Sequence, residues 1–485
     1  MKSDPSELPE PEFMDLAAAC ATAMEAFQRG DIRRARALAE EVLEAARGRP
    51  GRAIEGRALH LLGEIDYDEL AYARALARLE DAIAIHEELF GSADYATRES
   101  RAFRAVVLTS LDRTEEADAE LARATPGGFL PETPADAARH ARLWIAVGMV
   151  FHSRDRDREG VRIFEAVLAA VEQGEPIDPL ILANIYLHFA GALDAVNEPA
   201  RALAMCRRML ELRRSVIGVP SLRVALGLVG LWTSLLRSGR VDEARAAIEE
   251  SASMLRATGH EAHPRASVVY LGLAAVEMMA GRGPASERWI TRAIELETKT
   301  FGGAHVTSAA MTLTAAKIFA QRGHHTRAIE LTQRAAAAFL PYIRSRPELF
   351  KDAVDHGFLC LRDMKRYDAI VRWLEPLLAS LERLDPPPLH TMAPVLNMIG
   401  EGYAASGKLS KAEAALRRSI KITESEYGAE SEQMLVLFTN LADLLRRQRR
   451  IVEAHDAERR AARIEEAIEV RARAPFASRW RRGSA

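Results

Sequence analysis

The chain has 485 residues, 48% of them hydrophobic and only 6% aromatic, enough to bury several ordinary cores or one long one. Its 66 Lys and Arg against 69 Asp and Glu leave a net charge of −3, which argues against nucleic acid or membrane binding by the bulk surface. Three scattered cysteines (Cys20, Cys206, Cys360), no signal-type apolar run and no stretch of ~18 consecutive apolar residues predict free thiols and a cytoplasmic location.

In chain order, residues 1–11 are acidic and proline-bearing and are expected to be disordered. A first helical unit follows, near 12–29 and 32–47, with a turn at Gly30-Asp31. The second unit closes at Phe90-Gly91. The third has a short second helix over 114–124 and then TPGGFLPETP, 125–134, the longest irregular connection and an expected bend. The fourth turns through RDRDRE, 154–159. Units five to eight are the most regular. Within 284–340, Ile290, Ala293, Ile294 and Leu296, then Leu313, Ala316, Ile318 and Phe319, recur three and four apart, so two helices alternate. Neither could bury its apolar face alone, which predicts a stack. Unit nine carries Pro376 inside its second helix and Pro386-Pro387-Pro388 after it, predicting a kink and a second bend at 385–388. The last helix runs to about Ala472, and 473–485 form a basic tail around Phe476 and Trp480, read as a disordered solubilising end ahead of the alternative, a contact for an acidic partner, RNA or a membrane surface.

A small residue in each second helix sets the repeat: Ala35, Ala75, Ala117, Gly160, Ala202, Ala244, Ser286, Ala328, Ala369, Ala412 and Ala454. The spacing stays between 40 and 43 residues throughout. Seven residues on, the residue is again often small, as at Ala82, Ala124, Ser251, Ala293, Ala335, Ser419 and Ala461. Small side chains at that spacing let neighbouring helices approach closely. The prediction is an all-α solenoid of about eleven antiparallel helix pairs, continuous over 12–472.

The segment 397–422 (NMIGEGYAASGKLSKAEAALRRSIKI), with Gly400, Tyr403, Gly407, Ala412 and Leu416, resembles a tetratricopeptide repeat in its 42-residue, kinesin-light-chain-like form. A second match is 437–461, and the loops LFGSADY (89–95) and TFGGAHV (300–306) are similar to that family's inter-unit loop. The resemblance spans nearly the whole chain. It implies a right-handed superhelix whose first helices line a concave groove for peptides or extended partner segments. In that form an Asn fourteen residues before the repeat marker often bonds a peptide backbone. Here only Asn440 keeps it. His188, Gly230 and Met398 stand at other such positions, and unit nine is out of step near His356.

One and two turns earlier on the same helices stand Arg139, Arg142, Asn184, Arg223 and Arg265, with His188 and Lys317 nearby; Glu64, Glu99, Glu401 and Asp443 are the acidic counterparts. A basic central groove holding an acidic partner segment is one expectation, because Arg pairs bidentately with carboxylates. Ordinary solvated faces are the other. The partner-binding set is therefore Arg139, Arg142, Asn184, His188, Arg223, Arg265, Lys317 and Asn440.

His260, His263, His305 and His324-His325 lack companions at metal-ligand spacing, and Glu64-Asp66-Asp68-Glu69 lacks the Gly and spacing of a calcium loop, reading instead as a solvated helix end. No phosphate loop, nucleophile elbow, HExxH or GxGxxG appears. The expectation is a non-catalytic scaffold or adaptor without a cofactor, metal, nucleic acid or membrane partner. Its rival is a ligand-responsive regulator that closes around a peptide or effector and releases a partner.

Overall fold

The computed structural model describes residues 11–47, 52–154, 156–302, 305–344 and 346–473. The expectations for residues 1–10 and 474–485 lie outside these, and Pro11, expected in the disordered start, is instead the first residue of a helix. Among the described residues there are 23 α-helices, one 3₁₀ turn at Leu340–Tyr342 and no strand.

Eleven pairs follow one another, as expected. They are α1 (Pro11–Arg29) with α2 (Ile32–Ala46), α3 (Arg52–Asp68) with α4 (Tyr72–Phe90), and α5 (Tyr95–Ser110) with α6 (Thr114–Ala124). After the short extra helix α7 (Pro134–Arg139) come α8 (Ala141–Ser153) with α9 (Asp157–Glu172), α10 (Pro179–Ala195) with α11 (Pro199–Ile217), and α12 (Leu222–Arg237) with α13 (Val241–Ala257). Then α14 (Ala266–Met279) pairs with α15 (Gly283–Phe301), α16 (Val306–Gln321) with α17 (His325–Phe339), and α18 (Pro347–Asp363) with α19 (Tyr367–Glu382). The last pairs are α20 (Leu389–Ala405) with α21 (Leu409–Tyr427) and α22 (Glu432–Arg447) with α23 (Ile451–Arg473).

The turn inside each pair explains the period. In ten of the eleven pairs one residue there has positive φ: Gly30, Leu70, Asp112, Asn197, Gly239, Gly281, Gly323, Lys365, Gly407 and Arg449. The next amide bonds back to the carbonyl five residues earlier, as in Ala71 N to Asp66 O (2.7 Å) and His324 N to Phe319 O (3.0 Å). This is the left-handed helix stop that satisfies orphan carbonyls. Five residues after it stands the repeat marker, and Ala35, Ala75, Ala117, Ala202, Ala244, Ser286, Ala328, Ala412 and Ala454 are all fully buried. The turn corrects one position. Five residues after Lys365 comes Ile370, which is fully buried, whereas Ala369 is not. With Ile370 as marker, His356 falls into register fourteen residues earlier.

Where the second small residue is Ser, its hydroxyl donates to a first-helix carbonyl, Ser251 to Ala225 O and Ser419 to Ala393 O, each at 2.7 Å. Gly400 marks another close approach: a Cβ there would lie 2.9 Å from Leu416 Cγ. Pro376 does not end α19, which runs through it. The proline segment after α19 is held by Arg344, which donates to the carbonyls of Asp385 and Pro386.

Two compact units divide the chain, Met1–Leu296 and Glu297–Ala485, with the division inside α15 and at neither expected bend. The first unit returns on itself. The carboxyl end of α1 reaches the connection between α11 and α12, where Arg29 donates to Val216 O (3.3 Å) and Arg223 donates to Phe27 O (3.1 Å). Helix carboxyl ends carry orphan carbonyls and partial negative charge, so arginine suits them.

Candidate ligand-binding cavity

The closure of the first unit leaves a half-open cavity of about 500 Å³. Its wall takes Phe27 from α1, Glu64, Tyr67 and Asp68 from α3, Phe103 from α5, Arg142, Ile145 and Met149 from α8, and Asn184, Leu187 and His188 from α10. Arg213 from α11, Arg223, Leu226, Val229 and Gly230 from α12, and Arg265 and Val268 at the start of α14 join them, and Gln28, His152 and Ser153 complete it. Five of the sequence-predicted residues therefore converge here: Arg142, Asn184, His188, Arg223 and Arg265.

The arginines are paired with carboxylates and only partly exposed, Arg265 the most at 34%. Asp68, only 5% exposed, pairs with Arg223 (3.3 Å) and Arg265 (3.1 Å). Arg223 also lies over the Phe27 ring (4.7 Å), and Arg265 over Tyr67 (5.6 Å). Burial pushes the Asp68 carboxyl up, but Arg223, Arg265 and His263 together outweigh it and hold it below its ordinary value. Arg142 binds Glu64 (2.8 Å) and Glu99 (2.5 Å). Burial likewise raises Glu99, and Arg142 with His60 reverses the sign. Arg142 also lines a second cavity of about 420 Å³ with Cys20, His60, His86 and Tyr95. Its ion pairs thus stand between the two spaces.

The acidic stretch in α3 is consequently no solvated helix end. Asp66 is fully buried and pairs with Arg36 (2.8 Å), Arg74 (3.2 Å) and Arg78 (3.1 Å), while Glu69 pairs with Arg36 (2.7 Å).

Arg213 escaped the sequence reading because it lies on a second helix. It is 4% exposed, and it donates to Arg223 O and to Asn184 Oδ1, each at 2.8 Å. Burial and then Arg223 lower its pKa to about 9, with Asp68 only partly offsetting them. His188 is pushed to about 3 by burial, then by Arg213, His152 and Arg265, so it is neutral at physiological pH. A signal for Arg213 did exist. Eleven residues after the repeat marker several other units place buried packing residues, such as Ala46, Leu255, Phe339 and Thr423, although Glu297 is buried at the same register. A cation at that register is out of place in a core.

The remaining predicted residues lie elsewhere. Arg139 is the last residue of α7, exposed, and separated from Arg142 by the helix break at His140 (φ −107°, ψ 26°). It is not among the cavity residues, because α7 and α8 are two helices where one was expected. Lys317 and Asn440 belong to the second unit. Lys317 pairs with Asp352 (2.6 Å), and Asn440 donates to Asn397 Oδ1 (2.9 Å). Glu401 is half-buried with its carboxyl raised by burial, and Asp443 pairs with Arg446 (3.6 Å). The loop histidines act as caps: His305 Nδ1 accepts from Thr307 N, and His263 Nδ1 from Arg265 N, each at 3.2 Å. Among the described residues no group of three or more His, Cys, Asp or Glu is placed to hold a metal ion, and no helix is long and apolar enough to cross a membrane.

Residues 391–467, covering α20 to α23, match the family model for the tetratricopeptide repeat. The last two helix pairs thus match the tetratricopeptide repeat, and the pairs before them turn at the same register. A comparison with curated protein sequences finds no match. Solved structures similar to it include the apo form of RapI, 14% identical over 59% of this chain and 97% of that one, with a TM-score of 0.43. BtubC (BKLC) from P. vanneervenii is 15% identical over 57% and 92%, with a TM-score of 0.36. A Rap protein complexed with competence and sporulation factor is 13% identical over 72% and 99%, with a TM-score of 0.44.

Proposed function

We propose that the chain is a non-catalytic binding protein that holds a segment of a protein or peptide partner in the cavity of its first unit. The observation that carries this reading is the convergence of Arg142, Asn184, His188, Arg213, Arg223 and Arg265 on one space of about 500 Å³. That volume lies in the range of ligand sites, roughly 300–1,000 Å³, and polar groups among apolar walls are what fix a ligand's orientation. Tandem helix pairs supply the rigid frame. The test is capture from a lysate of the native host by wild type and by Leu226→Trp, which fills the cavity from α12, after circular dichroism has shown both to be helical. A partner held by wild type and lost by the variant supports the reading. Equal capture by both sinks it.

A second reading, a ligand-responsive regulator, is favoured by a separate observation. The closure depends on few groups, with Asp68 at its centre. A ligand that competes for Arg223 or Arg265 would weaken that contact and open the unit. Small-angle scattering with and without the captured segment decides: an unchanged radius of gyration rejects the regulator and leaves the scaffold.

A further inference from the structure

We infer that Arg213 anchors a single ligand carboxylate, carried into the cavity by a molecule whose remaining surface is apolar. This rests on the cavity being the binding site, and it names the chemistry that the site selects.

The charges facing the space do not balance. Arg142 is satisfied by Glu64 and Glu99, and Asp68 serves both Arg223 and Arg265. The four guanidinium groups of the wall thus meet three carboxylates, of which Glu99 reaches Arg142 from the second cavity, and the one left without a carboxylate is Arg213. Its two hydrogen bonds go to neutral oxygens, the Arg223 carbonyl and Asn184 Oδ1, and it forms no ion pair among the described residues. A buried cation without an anion is costly, and its depressed pKa expresses that cost. One arriving monoanion removes it.

The surroundings select the anion. Asn184 uses its Oδ1 on Arg213, while its Nδ2 group bonds no protein atom among the described residues and is a donor for a second ligand oxygen. His188 beside it is neutral and adds no charge. A phosphate dianion would exceed the single surplus charge and face Glu64 and Asp68 as well; a carboxylate matches it. A guanidinium binds a carboxylate through two parallel bonds. Ile145, Leu187 and Leu226 supply the apolar wall for the rest of the ligand.

The carboxylate has two sources, a free organic acid or the C-terminus of a peptide, and calorimetry with four probes separates them. The probes are hexanoate, hexanamide, N-acetyl-leucyl-leucine and its C-terminal amide, titrated into the full chain. We expect at least one acid to bind, its amide at least tenfold more weakly, and Arg213→Gln to lose at least tenfold while Arg213→Lys retains part of the affinity. Binding of hexanoate identifies a free acid as sufficient, and binding of the dipeptide acid alone identifies a peptide C-terminus. Failure of both acids, equal binding of acid and amide, or unchanged affinity in Arg213→Gln overturns the assignment. The partner capture described above keeps the two claims apart. Loss with Leu226→Trp but retention with Arg213→Gln removes the anchor and leaves the binding reading. Retention with Leu226→Trp removes the reading itself.

Discussion

Asp68 and Arg223 stand 155 residues apart in the chain and 3.3 Å apart in the structure, across the closure of the first unit. Arg265 reaches the same carboxylate from the start of α14 and also donates to the Asp68 carbonyl (3.2 Å). A single buried anion therefore fastens the second helix pair to the sixth and seventh.

Replacing it should be expensive. Asp68→Asn leaves two arginines without their shared counter-ion, at a cost of about 3 kcal/mol. A denaturant titration of the variant should show that loss; a midpoint equal to wild type would mean that the closure contributes nothing to stability.

Acid should reproduce the same effect. The folded Asp68 carboxyl titrates below its ordinary value of 3.8, so its contribution is complete above that pH and lost as pH falls through the lowered value. The difference in melting temperature between wild type and Asp68→Asn should stay constant from about pH 7 to about pH 5 and shrink only below the ordinary value. A difference that already fades near pH 6 would assign the effect to another group, since His263 is itself held down to about 4.

Arg142→Met should strand Glu64 and Glu99 in the wall between the two cavities. A loss of about 3 kcal/mol is expected, with partial rescue by Arg142→Lys, which restores charge without the planar fork. In carboxyl-detected NMR the Glu99 resonance should titrate at higher pH than in wild type. An unmoved Glu99 would show that Arg142 does not set its charge.

Lys365 is exposed and holds φ +55° at the turn between α18 and α19, a conformation that glycine adopts without strain. Lys365→Gly should stabilise the chain by about 1 kcal/mol, and a lower melting temperature would contradict this. The neighbouring turns at Gly323 and Gly407 already use glycine at the same register.

Cys206 is fully buried, with its thiol pushed up to about 11 by burial. An alkylating reagent at about pH 8 should label it only after denaturation. Rapid labelling of Cys206 in the native protein would show that α11 opens on the time scale of the reaction.

The repeat was legible because it is local. One left-handed turn residue, one small marker five positions later and an apolar face recur at nearly constant spacing, so eleven pairs can be counted from letters alone. Where local letters mislead, the count slips: Ala369 looks like its equivalents, but the turn at Lys365 makes Ile370 the marker. The cavity was legible only in part. Arg142, Arg223 and Arg265 were found from their register on first helices, whereas their partners were hidden, because Asp68 and Glu64 meet them through the curvature of a whole stack. No spacing rule reports a contact across 155 residues. Arg213 was missed for a different reason, since attention to first helices passes over a charge on a second one. Arg139 was included because the break at His140 leaves no mark as strong as Pro or Gly.

The closure also changes how the first unit responds to shortening. In an open solenoid each helix pair touches only its neighbours, so stability grows roughly by equal increments and terminal pairs can be trimmed with local effect. Here the loss of α1 and α2 would strip Arg223 of the Phe27 carbonyl and ring, although four helix pairs intervene. Damage at one end would be felt at the sixth pair. The first unit should therefore melt in a single cooperative step, and its repeats cannot be deleted one at a time as interchangeable parts.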